Sequence, residues 1–320
     1  MGAGVFLFYQ AFSQTEISKV VQDFKSAKYS YLFLSMAMGY IAFISRGIRW
    51  NLLLEPLGKK ANTWRAIHAV AIGYLTNVAV PRAGELARCT SLNRTDKIPV
   101  DRLFGTVVLE RLFDMVMLLI MMALTVILEY EKFISLFSMA NARNSSGEEG
   151  GVSWLLISAG VIFIGVVLVF LLFRQRIIAH PVFQKVRNFW NGFKEGLQSF
   201  KKVKNKTAFI GHTIFIWVLY YLMNYIVVYS LDATEHIGPS AGLFVMVAGG
   251  LGMVVPTPGG VGSYHYLVML AMTVLGISEA DGFSFATLVH VGQMLMTFTG
   301  GGIAALAIYN FRRKSKRNEL

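Results

Sequence analysis

Apolar residues dominate five stretches of the chain, near 30–54, 103–128, 153–173, 207–231 and 284–309, and polar residues gather between them. A helix needs roughly 20 predominantly apolar residues to cross a hydrocarbon core about 30 Å thick, so each stretch predicts a spanning helix. Two further apolar regions are shorter and interrupted. Residues 66–80 stop at Pro81 and resume as the polar, helix-like "LARCTSLNRTDK". Residues 241–255 stop at "VVPTPGGVGSYHY" and resume as a short apolar piece over 264–276. At 1.5 Å per residue neither half of either region spans the core.

Both interrupted regions, 66–92 and 241–276, therefore read as re-entrant helical hairpins whose tips lie within the membrane. The first would enter from the cytoplasmic side and the second from the outer side. Short hydrophobic segments broken by Gly and Pro at corresponding places in two halves point to an inverted-repeat arrangement around a binding site. Exposed backbone at membrane depth is tolerated only beside protein or water. The expected fold is all-α: one integral membrane domain over 1–320, a polytopic helix bundle with two Pro/Gly-broken re-entrant hairpins. The alternative is that one or both regions are short tilted helices with structural prolines.

Composition agrees with a membrane class. The chain is 55% hydrophobic and 15% charged, with a mean hydropathy of +0.54, whereas soluble domains carry about 25% charged residues. The formal net charge of +12 is concentrated in connecting segments. Arg174, Arg176, Lys185, Arg187, Lys194, Lys201, Lys202, Lys204 and Lys206 crowd the connector 174–206, and the tail 310–320 contains "RRKSKR". Positive-inside bias places both in the cytoplasm, facing anionic inner-leaflet lipids, and the pattern does not suggest nucleic acid as a partner. The stretch "VFQKVRNFWNGFKEGLQSF" reads as a surface helix on the inner leaflet or as a solvated connector. Segment 129–152, with "NARNSSGEEGG", lacks a basic excess and is expected to be a flexible outer loop. Lys59, Lys60 and Arg65 put the end of span 30–54 inside. These assignments give a multi-pass protein of the cell (inner) membrane with a cytoplasmic C-terminus. Residues 1–12 read as part of a first span.

Cys89 is the single cysteine, which leaves no internal disulfide. No metal spacing, cofactor motif or catalytic constellation is visible, so no catalytic residue, metal or cofactor is assigned. A homo-oligomer is neither required nor excluded.

Candidate chemistry lies in charges placed among apolar residues. "LERLFDMVMLLIMMALTVIL" puts Glu110, Arg111 and Asp114 in the first third of a span. Glu110 and Asp114 share a face, and Arg111 is three positions from Asp114. A charge at the centre of a lipid-embedded helix costs at least about 2.5–3.5 kcal/mol, so these groups need partners or water. The first tip offers Asn77, Arg82, Glu85 and Arg88, and Arg49 lies near the end of the preceding span beside Trp50, an interfacial setting. Free amides at a helix start and arginine forks suit a phosphate. Arg46 is expected to snorkel to the interface. A closed ion-pair staple without binding function is the competing reading. The second tip, with Pro256, Pro258, Gly259, Gly260 and Gly262, is uncharged. Its glycines allow close backbone approach to an oxygen-rich headgroup. His265 and His290 can take a proton but, read singly, suggest packing or hydrogen bonding.

Four motifs, "RWNLLL" (49–54), "NVAVPRAGELAR" (77–88), "VVLERLFDM" (107–115) and "VPTPGGVGSYH" (255–265), resemble in order and spacing the transmembrane domain of the lysylphosphatidylglycerol synthase family. The resemblance covers nearly the whole chain. In that family this domain is joined to a cytosolic aminoacyl-transfer domain or stands alone in flippase-like proteins. The resemblance implies a stand-alone lipid translocase whose partner is a phospholipid headgroup, and not a lysyl transferase. The family begins with a complete first span, from which 1–12 departs. From the residues alone, an intramembrane transferase using Glu85, Glu110 or Asp114 as base, and a scaffold recruiting an enzyme through 174–206, are the alternatives.

Overall fold

The computed structural model describes residues 17–57, 61–144, 190–195, 198–255 and 257–317. These are almost entirely helical. A short amphipathic helix, α1 (Ile17–Ser26), leads into α2 (Tyr29–Leu54). Next come α3 (Thr63–Ala79), α4 (Gly84–Asp96), α5 (Val100–Leu128) and α6 (Tyr130–Asn144). The second half holds α7 (Lys206–Tyr225), α8 (Pro239–Val254), α9 (Ser263–Val274) and α10 (Glu279–Arg317). Four helical stretches among the described residues are long and apolar enough to cross a membrane: Tyr29–Leu57, Val100–Leu128, Lys206–Ser230 and Glu279–Phe311. They coincide with four of the five predicted spans. The fifth, 153–173, lies outside the described residues, as do 1–12 and most of the connector 174–206.

Helix α5 shows why the long helices need a nonpolar solvent. Its first turns bury Leu103, Val107 and Glu110. Beyond them Leu112, Met115, Val116, Leu119, Ile120, Leu124, Ile127 and Leu128 are all exposed. An apolar surface this continuous would drive association in water, and it suits contact with acyl chains.

Both interrupted regions fold as helix–break–helix pairs. Asn62 caps α3 by accepting from the amides of Trp64 and Arg65. The helix stops before Pro81, and Arg82 then takes a left-handed φ of 63°. Helix α4 starts at Gly84, whose amide donates to Asn77 Oδ1 at 2.7 Å. Gly84 and Gly73 bring α3 and α4 into near backbone contact, since a Cβ at Gly73 would stand 2.9 Å from the Gly84 carbonyl oxygen. With 17 and 13 residues, the two arms are about 26 and 20 Å long. In the second pair Gly252 plays the equivalent part, and a Cβ there would lie 2.7 Å from the Ser263 carbonyl oxygen. The turn holds Gly259, Gly260 and Gly262 at positive φ, which only glycine adopts without strain. Thr257 and Ser263 join hydroxyls across it at 2.9 Å.

The tips of the two pairs touch. Arg82 Nη2 donates to the Val254 carbonyl at 3.3 Å, and Gly259 faces Val78 at the end of α3. Each pair has its own core. Trp50, Leu54, Val70, Cys89, Leu92, Leu103 and Val107 fill the space among α2, α3, α4 and α5. Phe244, Met269, Phe285 and Leu288 anchor the one around α8, α9 and α10.

Two expectations change. Trp50 is fully buried and donates its indole N–H to Thr106 Oγ1 at 2.9 Å, so Arg49 and Trp50 face the protein interior and not an interface. Residues 130–144 of the expected flexible loop form α6, because Phe133 and Leu136 sit one turn apart and pack on the second core. In the described part of the basic connector Glu195 pairs with Arg102 at 3.1 Å.

Candidate functional site: a buried arginine–carboxylate cluster

Helices α2, α4 and α5 each contribute charges one turn apart. On α2 these are Arg46 and Arg49, on α4 Glu85 and Arg88, and on α5 Glu110, Arg111 and Asp114. Spacings of three or four residues put each set on one helix face, and the three faces converge.

Glu110, with no exposed surface, is the hub. It accepts from Arg49 Nη2 at 2.9 Å and Arg88 Nη2 at 2.8 Å, with Arg46 Nη2 at 3.5 Å. Asp114 pairs with Arg46 and with Arg49 Nη1 at 2.9 Å. Arg111 lies 3.6 Å from Asp114 and reaches Glu85 at 3.1 Å. Neutral groups complete the shell. Arg49 donates to Thr213 at 3.2 Å, Arg46 donates to Tyr74, and Tyr74 meets the Tyr220 hydroxyl at 3.2 Å. The Arg88 guanidinium lies 4.0 Å from the Trp50 ring centroid, close enough for a desolvated cation–π contact. Four arginines (46, 49, 88, 111) and three carboxylates (85, 110, 114) give a formal sum of 4 − 3 = +1.

A small cleft of about 10 Å³ opens beside the cluster, lined by Val70, Gly73, Tyr74, Asn77, Gly84, Glu85, Arg88 and Arg111. Among the described residues Arg88 Nε, Arg111 Nε and Glu85 Oε2 have no hydrogen-bond partner. Arg111 is the most accessible of the cluster, its side chain 40% exposed. The cleft thus offers both signs of charge at the mouth of a site whose floor is held by fixed ion pairs. Charges of both signs at such a mouth are the chemistry that suits an anion or a zwitterion.

Of the sequence-predicted site residues, Arg49, Asn77, Glu85, Arg88, Glu110, Arg111 and Asp114 come together here. Arg82 does not. It is exposed and committed to the contact between tips, because the left-handed turn at its own backbone redirects it. Asn77 closes the turn by holding the Gly84 amide, so that helix-start N–H is already occupied and is not free for an anion. Pro258, Gly259, Gly260 and Gly262 form the second tip, in contact with the first and apart from the charges; Pro256 lies outside the described residues. Arg46 was expected at the interface, yet only 3% of its side chain is exposed. It stands eight residues, about 12 Å, before the end of α2, too deep to snorkel. That depth, with the one-turn spacing to Arg49, was the signal available in the sequence. Nothing local marks Tyr74, Thr213 and Tyr220, which arrive from α3 and α7.

Fold and site together define an integral membrane protein of several apolar helices with a charged cluster in its interior. The family model described as the lysylphosphatidylglycerol synthase TM region matches residues 1–301, and the chain belongs to that family. It is also similar to a UPF0104 membrane protein of Methanocaldococcus jannaschii, 26% identical over 101 residues, which is 31% of this chain and 30% of that protein. The match thus spans under a third of the relative's length. No solved structure matches the chain.

Proposed function

We propose that the protein moves a phospholipid or lipid-linked headgroup between leaflets, passing it through a polar groove between the two broken helix pairs. In this reading the pairs enter the membrane from opposite sides as an inverted repeat, and acyl chains stay in the bilayer while the headgroup passes the charged cleft. The protein sits in the cell membrane with its basic connector and C-terminus in the cytoplasm, where anionic lipids attract them. The observation that carries the reading is the surplus arginine in a buried cluster that opens to a cleft at Glu85, Arg88 and Arg111. A closed staple would pair its charges fully, and buried ion pairs add little stability over apolar packing. The energy comes from the lipid gradient, an ion or the membrane potential, worth about 2.3 kcal/mol per charge per 100 mV.

The test is reconstitution in liposomes with fluorescent phospholipids, comparing wild type with Arg111→Ala and Glu85→Gln. Both substitutions lie at the accessible edge of the cluster and spare its floor. Wild type should equilibrate the probe between leaflets, and both variants should slow it about tenfold or more. Equal rates for empty, wild-type and variant vesicles exclude the proposal.

A further inference from the structure

Helix α6 carries three different stripes along one length. Phe133, Leu136, Met139 and Ala140 pack on the second core. Tyr130, Ile134 and Phe137 are exposed, by 62%, 50% and 51%. Glu131, Ser135 and Ser138 are exposed as well. Each of the two exposed sets recurs after four and then three positions, so each is a continuous stripe on a helix. One residue separates the sets in register, which sets them about 100° apart around the axis. The exposed apolar stripe thus lies between the face on the core and the polar stripe.

A helix that enters a membrane end-on changes from polar to apolar along its axis. Helix α6 changes around its circumference and keeps both stripes from residue 130 to 138. An apolar solvent and water must therefore accompany it side by side, the condition of a helix lying along a bilayer surface. Its 15 residues extend about 22 Å, too short to cross a core about 30 Å thick. The helix before it is long enough to have crossed already, since the 29 residues of α5 reach about 43 Å.

The apolar stripe also continues the exposed band of α5. Leu124, Ile127 and Leu128 close that band, and Glu129 alone stands between them and Tyr130. Glu129 leaves helical geometry, with φ −138° and ψ 45°, and so turns the chain where the band ends. Tyr130, an apolar ring with a polar hydroxyl, suits the boundary at that place. The inner side of α6 belongs to the second broken pair. Glu129 bonds to Ser240 in the first turn of α8, Phe133 packs against the cluster of Trp217, Met246 and Val247, and α6 lies against α9.

We propose that α6 is an interfacial helix, with a lipid surface as its partner. Tyr130, Ile134 and Phe137 enter the acyl-chain region of the leaflet at the end of α5, while Glu131, Ser135 and Ser138 face headgroups and water. The helix thereby joins the second broken pair to the membrane surface. This inference does not depend on the transport reading above.

The experiment places one cysteine at a time in the full chain, as Ile134→Cys, Ser135→Cys, Phe137→Cys or Ser138→Cys. Each is labelled with an environment-sensitive fluorophore and reconstituted in vesicles of phosphatidylcholine and phosphatidylglycerol. Cys89 is fully buried and stays unlabelled in the folded protein. Lipids spin-labelled high on the acyl chain should quench positions 134 and 137 about threefold more than 135 and 138, and iodide on both sides of the membrane should give the reverse order. Quenching of all four by iodide alone puts α6 in water and overturns the proposal. Equal lipid quenching of all four overturns it as well, because the helix is then immersed. Shielding of 134 and 137 from both quenchers also overturns it, since protein then covers the stripe, whether another segment of this chain or a second copy. Should the labelled variants fail to fold, the unmodified protein decides. A lipid with a benzophenone on its acyl chain should attach, after illumination, to Tyr130, Ile134 and Phe137 and spare Glu131, Ser135 and Ser138, read by peptide mass spectrometry. Attachment to both stripes alike, or to no residue of 130–138, refutes the proposal.

Discussion

Glu110 is where the cluster can be broken most cleanly. Replacing it with Gln keeps shape and burial but withdraws the charge that faces Arg49, Arg88 and Arg46 at 2.9, 2.8 and 3.5 Å. The formal sum of the cluster rises from +1 to +2, at a hub with no exposed surface. Removing one partner of a buried ion pair typically costs about 3–5 kcal/mol, against a total stability of about 5–15 kcal/mol for a folded domain. Glu110→Gln should therefore lose about 3–5 kcal/mol. The single cysteine provides the assay: Cys89 is fully buried in the first core, so its labelling by a fluorogenic maleimide during denaturant titration reports unfolding. A second variant sharpens the test. Arg88→Gln with Glu110→Gln leaves Arg46, Arg49 and Arg111 against Glu85 and Asp114, which restores 3 − 2 = +1. The double variant should recover part of the loss, with a coupling energy of at least about 1 kcal/mol. A single-variant loss under about 1 kcal/mol, or a double variant at least as unstable as the two singles summed, would refute the view of Glu110 as hub.

Other consequences follow from the same geometry. Gly47→Ala would set a Cβ 2.6 Å from the Ile67 Cα; it should cost about 1–3 kcal/mol by wedging α2 from α3, read in the Cys89 labelling assay. Trp50→Phe removes the indole donor to Thr106 and the best face for Arg88, for an expected loss of about 1–2 kcal/mol in the same titration. Arg82→Ala should leave the cluster and overall stability nearly unchanged but raise amide exchange at both tips, since it removes only the bond to Val254. Glu129, just past the α5 span, is buried enough to favour protonation, yet bonds from Lys132 and Ser240 win and hold its carboxyl below the ordinary value of 4.5. A lowered folded-state value means that its contribution is full above about pH 4.5 and is lost as pH falls through the lowered value. Glu129→Gln should flatten stability against pH in that acidic window, and an unchanged acid limb would count against it.

Much of this protein is local. A long apolar run has one stable solution in lipid, because only a helix satisfies its own backbone there, and four described spans fall where the runs do. The breaks are local too. Proline lacks the amide that a helix requires, and glycine tolerates the left-handed turns at 259, 260 and 262. The charges of α5 announced that they needed partners.

Which partners they received was not local. Arg49 meets Glu110 across 61 positions and Thr213 across 164, and Arg82 gives its place in the cluster to Arg46 because of a turn in its own backbone. His265 and His290 look like two isolated rings until α9 and α10 pack and bring their nitrogens within 3.3 Å. Periodicity states what a helix face carries, but helix rotation and the way broken pairs cross decide what that face meets. Those are set by the fit of Gly47, Gly73, Gly84 and Gly252 against neighbouring backbone, a property of the packed whole.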